Sequence, residues 1–201
     1  DFCGIDSEPL YHPPMDAEAF HPGPYGDFLY FPSRINKWKR QKLAIEALAM
    51  TKEKVVIHFS GSPDNPEYFD ELEDLARRSN VLHRIRFLGR IPFSDMVEQY
   101  ANCRGVLFPP EQEDYGYITL EAMLSHKGVI TCHDSGGPTE FIRDQIEGLV
   151  TQPDPESLAL AMDRFWRDRE FAKTAGTNAN TRLNDMKVSW ENVVDKLTQC
   201  K

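Results

Sequence analysis

Gly105-Val106-Leu107-Phe108 is followed by the polar turn Pro109-Pro110-Glu111-Gln112-Glu113-Asp114-Tyr115-Gly116, by Tyr117-Ile118-Thr119-Leu120-Glu121-Ala122-Met123-Leu124-Ser125, and then by Gly128-Val129-Ile130-Thr131-Cys132. The first and last runs are short, apolar and rich in β-formers, while the middle run has the length and composition of a helix. Strand, helix and strand in this order make a βαβ unit, whose crossover is right-handed and whose strands are parallel.

The same alternation extends in both directions. Strands are expected at Phe28 to Pro32, Val55 to Ser60, Ile85 to Leu88, Gly105 to Phe108, Gly128 to Cys132 and Gly148 to Thr151. Helices are expected between them at Arg40 to Met50, Pro66 to Ser79, Phe93 to Asn102, Tyr117 to Ser125 and Pro138 to Asp144. After Thr151 only helices follow, at Pro155 to Arg167, Arg169 to Arg182 and Ser189 to Lys201, the first opening on the cap-and-proline signal Asp154-Pro155. Residues 1–26 mix Pro, Gly, His, Asp and aromatic residues without a sustained period and read as a lead-in or interdomain linker. The expected architecture is an α/β, Rossmann-like, doubly wound parallel sheet with a helical C-terminal tail. Its ligands would bind beyond the carboxyl ends of the strands.

Composition narrows the function classes. With 23 Lys+Arg against 32 Asp+Glu the 201-residue chain carries a net charge of −9, which argues against a general nucleic-acid surface and makes any anion site a local one. No apolar run approaches the ~20 residues of a membrane-spanning helix. Cys3, Cys103, Cys132 and Cys200 show no CxxC spacing and fit a reducing compartment, so a cytoplasmic location is expected. The chain opens on Asp1 with no signal-peptide pattern and reads as part of a longer protein.

Three strand-end loops carry candidate chemistry. Five of the nine residues from Arg34 to Lys42 are basic, just where a helix begins. Cations there oppose roughly half a positive charge of helix dipole, and a bound phosphate would resolve the conflict. A solvated basic face is the plainer alternative, since Leu43, Ile45, Ala47 and Leu48 supply the core side. In the loop from Pro109, carboxylates suit sugar and ribose hydroxyls, because an ionised Glu can accept two hydrogen bonds from a diol. Helix-start acids account for Glu113 and Asp114. They leave Glu121, in mid-helix among apolar residues, without a reason. The third loop, Asp134-Ser135-Gly136-Gly137-Pro138-Thr139-Glu140, pairs two glycines with a helix start. The histidines, including His126 and His133, are expected to be structural or solvent-facing.

Arg34 with Lys39, Glu113 and Glu121 in an E-x7-E spacing, Gly136-Gly137 with Glu140, and the closing Ser189-Trp190-Glu191 together resemble the C-terminal half of the retaining glycosyltransferases of family 4, which have the GT-B fold. The resemblance runs from about Tyr11 to Trp190. It implies a domain over residues 27–201 that binds a nucleoside-diphosphate sugar, a UDP- or GDP-sugar, with no metal or other cofactor. The N-terminal acceptor domain would be absent from this chain, so that the chain alone transfers no sugar, and any peripheral membrane contact would be made through that half.

The resemblance also implies site roles. Arg34 and Lys39 would hold the diphosphate and stabilise the leaving group. Glu121 would bind the ribose, Glu113 the transferred sugar with the N–H groups of Tyr115, Gly116 and Tyr117, and the Gly89-Arg90-Ile91 loop the base. The catalytic set would be Glu113, Arg34 and Lys39, passing a hexose to a hydroxyl of a glycan or lipid-linked acceptor. Departures are Ser33 and Arg40 where glycine is common, and Ser125-His126-Lys127-Gly128 before the fifth strand. The rival readings are a non-catalytic Rossmann-like nucleotide-binding or assembly module, which would predict damaged motifs, and an unrelated nucleotide-binding fold, for which no GxGxxG or Walker loop is present.

Overall fold

The computed structural model describes residues 9–199. Six strands, β1 Leu29–Pro32, β2 Ile57–Ser60, β3 Ile85–Phe87, β4 Gly105–Leu107, β5 Val129–Cys132 and β6 Gly148–Thr151, form one parallel sheet in the order β3-β2-β1-β4-β5-β6. The helices between them are α1 Gln41–Met50, α2 Pro66–Arg78, α3 Phe93–Asn102, α4 Tyr117–Leu124 and α5 Pro138–Phe141; α6 Pro155–Arg167, α7 Arg169–Asp185 and α8 Trp190–Gln199 make the tail. None of the described helices is long and apolar enough to cross a membrane.

The period-two alternation of each strand sorts its side chains to two helical layers. Leu29, Phe31, Leu107 and Ile130 face a core shared with α1, α2 and α6, whereas Tyr30, Val106, Phe108 and Val129 face a second core with α3 and α4. Helix α7 serves both, with Ala172 and Ala175 in the first and Ala179 and Leu183 in the second. The strand order reverses between β1 and β4, and a crevice opens at such a switch point.

Most expected boundaries hold to within a residue or two, but α5 and α7 differ. The fifth helix stops at Phe141 rather than Asp144: Ile142 is extended, and the Arg143 N–H is taken by the buried Glu147 carboxylate at 2.9 Å, which ends the ladder. Helix α7 instead continues to Asp185, and α8 starts at Trp190. Asp154 caps α6 as expected, accepting from the Ser157 N–H at 2.8 Å. Cys3, Cys200 and the helix end at Lys201 lie outside the described residues, while Cys103 and Cys132 are buried free thiols.

The lead-in packs closely from Tyr11 onward. Phe20 is buried against Tyr100, the Gly26 N–H donates to Asn102 O at 3.0 Å, and the Tyr25 hydroxyl donates to His126 O at 2.6 Å. Lys127, fully buried, donates to the carbonyls of Gly23 and Pro24 and lies 3.8 Å from the Tyr25 ring centroid.

Candidate functional site

The loops after β1, β2 and β3 are braced against one another. Gly61 donates to Gly89 O at 2.8 Å and adopts φ +133, and a Cβ there would sit 2.0 Å from Ser33 O, so only glycine lets these backbones approach. Gln41, fully buried, donates to Ser33 Oγ and to Arg34 O, both at 2.9 Å, and fixes the start of the basic loop. Between these loops and α4 lies a cleft of about 300 Å³ whose walls include Arg34, Arg90, Ile91 and Glu121. Four of the residues singled out in the sequence thus share one cavity.

Glu121 has its reason here. Its carboxylate accepts from the Tyr100 hydroxyl at 2.5 Å at the cleft wall. Burial pushes its pKa above the usual carboxylate range, and the Tyr100 bond acts in the opposite sense.

Four of the five cations of the basic loop have carboxylate partners in the protein, Lys42 among them with Glu46 at 3.8 Å, while the Lys37 ammonium lies 6.0 Å from the Tyr68 ring centroid. A bound phosphate was one expected way to offset these cations, and neighbouring carboxylates offset them in part within the protein. Arg34, largely exposed, approaches Asp64 at 3.5 Å. Asp64 also accepts from Asn36 at 2.9 Å, and Asn36 in turn caps the 3-10 turn Lys37–Lys39 by accepting from the Lys39 N–H. Lys39 pairs with Glu113. Arg40 makes two bonds of 2.7 Å to Asp134, holding that carboxyl below its ordinary pKa, so its charge is spent on the protein. Arg40 sits at φ +60, the left-handed region, which explains the glycine common at this position in the resemblance.

Glu113 and Lys39 do not line the Arg34–Glu121 cleft; they meet each other beside Phe108, whose ring centroid is 5.5 Å from the Lys39 ammonium. The paired glycines serve the loop beside them. Gly136 has φ +72 and a Cβ on it would lie 2.5 Å from Glu113 O, while the Gly137 N–H donates to that same oxygen at 2.7 Å. Gly116, at φ +79, opens α4 without a side-chain cap. Among the described residues, the backbone N–H groups of Tyr115, Gly116 and Tyr117 have no protein acceptor. That is the condition of an anion- or hydroxyl-binding helix start.

The Tyr115 side chain turns the other way. Its hydroxyl donates to His12 O at 2.6 Å and accepts from the His12 N–H at 2.8 Å, and burial pushes its pKa up to about 12, so it stays a donor. The His12 ring stacks on Tyr115 at 4.8 Å and on Trp190 at 5.2 Å, and Tyr11 donates to Glu140 at 2.8 Å. No sequence signal marked Tyr11, His12, Asp64 or Tyr100 as neighbours of the site. They lie far along the chain from the residues they touch.

A doubly wound parallel sheet with a polar cleft at its strand ends is a Rossmann-like α/β domain. Residues 22–182 match the family model of the Glycosyl transferases group 1, and the chain belongs to that family. It is 29% identical over 167 residues to human alpha-1,3/1,6-mannosyltransferase ALG2, covering 75% of this chain and 40% of that protein. It is 25% identical over 186 residues to the O-antigen chain mannosyltransferase C of Escherichia coli, covering 91% and 48%. The chain therefore spans less than half the length of these relatives. In fold it is similar to Anabaena Alr3699/HepE solved with UDP and glucose, at TM-score 0.81 and 22% identity, covering 92% of this chain and 55% of that one. A C-terminal domain of a glycosyl transferase group 1 protein, LpcC of Francisella tularensis, aligns at TM-score 0.72 and 23% identity and is covered over 98% of its length. The fold is thus that of the GT-B glycosyltransferases.

Proposed function

We propose that residues 27–201 are the donor-binding domain of a retaining hexosyltransferase, which moves a sugar from a UDP- or GDP-sugar to a hydroxyl of a glycan or lipid-linked acceptor. The observation that carries this is the single cleft at the sheet's switch point walled by Arg34, Arg90, Ile91 and Glu121. Its fold neighbour HepE was solved with UDP and glucose, which supports the nucleotide-sugar part of the reading.

In this reading the base lies on the Arg90–Ile91 loop and the ribose diol donates to the Glu121 carboxylate. Arg34 and Lys39 hold the diphosphate. Glu113 and the free N–H groups of Tyr115, Gly116 and Tyr117 face the sugar. The acceptor hydroxyl attacks the anomeric carbon on the face from which the diphosphate leaves, so configuration is retained. Charge growing on the departing phosphate oxygen meets the cations of Arg34 and Lys39 and helix N–H groups, an electrostatic contribution to the barrier. The acceptor belongs to a half outside this chain, which accordingly binds donor but transfers no sugar by itself.

Titration calorimetry with UDP and GDP tests the reading. One of the two binds with a dissociation constant below millimolar; no heat with either at millimolar concentration contradicts it, and sugar transfer by the chain alone contradicts the assignment of acceptor chemistry to the other half.

A further inference from the structure

Lys39 already has an anion within the protein. Its ammonium contacts Glu113, and the two side chains are only 18% and 24% exposed, so the pair is weakly screened by solvent. The Glu113 backbone is fixed on both sides: its N–H donates to Ser135 O at 2.9 Å and its carbonyl accepts from Gly137 at 2.7 Å. Only the side chain is free to change partner. The nearby Arg40 cannot replace Lys39, because its guanidinium is engaged with Asp134 and faces Glu111 at 3.6 Å.

A diphosphate that draws Lys39 away from Glu113 leaves an ionised Glu113 beside a newly arrived anion. The carboxylate left without its cation carries a desolvation and repulsion cost unless something else bonds it. An intact nucleotide sugar brings hydroxyl donors to the carboxylate, whereas the spent nucleoside diphosphate brings none.

We propose that Glu113 discriminates the intact donor from the spent nucleotide by exchanging partners. It gives up Lys39 when sugar hydroxyls replace the ammonium, and takes Lys39 back once the sugar has gone, which lowers the affinity for the product and favours its release. This rests on the donor-site reading above and adds to it a direction for binding strength. A partly buried ion pair of this kind corresponds to about a 5- to 30-fold handicap on free nucleoside diphosphate.

The test is a set of dissociation constants for the free nucleoside diphosphate, UDP or GDP as the wild type prefers, and for its sugar conjugate. Glu113→Gln removes the charge and keeps the shape. It tightens the free diphosphate about 5- to 30-fold and weakens the sugar conjugate, so the ratio of the two affinities shifts against the donor. Asp114→Asn neutralises the adjacent exposed acid and changes either affinity less than about twofold. Free diphosphate binding that is unchanged or weaker in Glu113→Gln overturns the exchange, as does equal tightening in Asp114→Asn, which would mark a general field effect. If the wild type binds neither nucleotide, the donor-site reading falls first and the exchange with it; if it binds and Glu113→Gln fails as described, only the exchange falls.

Discussion

Glu121→Gln separates a ligand contact from a structural one. The carboxylate sits at the cleft wall with one oxygen accepting from Tyr100, a side chain with no exposure. The amide oxygen of Gln can still accept that bond, so the helix packing and the melting temperature should stay close to wild type. The charge and the acceptor capacity toward a ribose diol are lost. Hydrogen bonds to a charged group are worth about 1.5–3 kcal/mol and neutral ones about 0.5–1.5, so the change should cost about 1–3 kcal/mol of binding, or about 5- to 150-fold. Because ribose is common to both ligands, the free diphosphate and the sugar conjugate should weaken alike. Tyr100→Phe provides the converse case, with stability lower by about 1–3 kcal/mol from the lost bond at a buried site and a smaller effect on binding. Calorimetry paired with thermal melts reads both quantities. Wild-type affinity in Glu121→Gln with a clear fall in melting temperature would refute the reasoning and leave Glu121 as an anchor for Tyr100.

Arg34→Ala should weaken diphosphate binding by about 1.5–3 kcal/mol. It should leave the melting temperature almost unchanged, because the Arg34 side chain is 72% exposed and its Asp64 partner is 3.5 Å away. Lys127, buried against carbonyls and a ring, has its pKa pushed down to about 8 from 10.5. The ammonium thus costs stability at every pH below 8, and the cost is relieved between about pH 8 and 10.5, where the unfolded chain still holds a proton that the folded chain has released. Relative to Lys127→Met, wild-type stability should rise by about 3 kcal/mol across that window, as read by denaturant unfolding at several pH values; a difference flat with pH would contradict the assignment.

The fold was legible because each strand is a short apolar run and each helix a longer periodic one, so local sequence and tertiary packing agree. The α5 boundary was not, since the buried Glu147 carboxylate, four residues further on, takes the Arg143 N–H from the helix ladder. Within the site, Arg34 and Glu121 could be found from their places after a strand and in α4, and Arg90 and Ile91 through the family resemblance. The partners could not. Lys39 meets Glu113 and Arg40 meets Asp134 across 74 and 94 residues of chain, and a basic cluster read alone shows its charge without its counter-ions. Gly136 and Gly137 stand out in the sequence as paired glycines at a helix start, and the sequence does not show that the Glu113–Tyr115 backbone is what approaches them.

The central claim is that the cleft at the strand ends holds a nucleoside diphosphate. A crystal structure of this chain with the nucleotide it prefers tests that most directly. The account predicts ribose hydroxyls on Glu121, the base on the Arg90–Ile91 loop, and the diphosphate between Arg34 and Lys39, with the Lys39–Glu113 contact broken. Nucleotide bound instead in the neighbouring cavity of about 350 Å³ beside Trp38 and Tyr68, with Glu121 untouched, would contradict it.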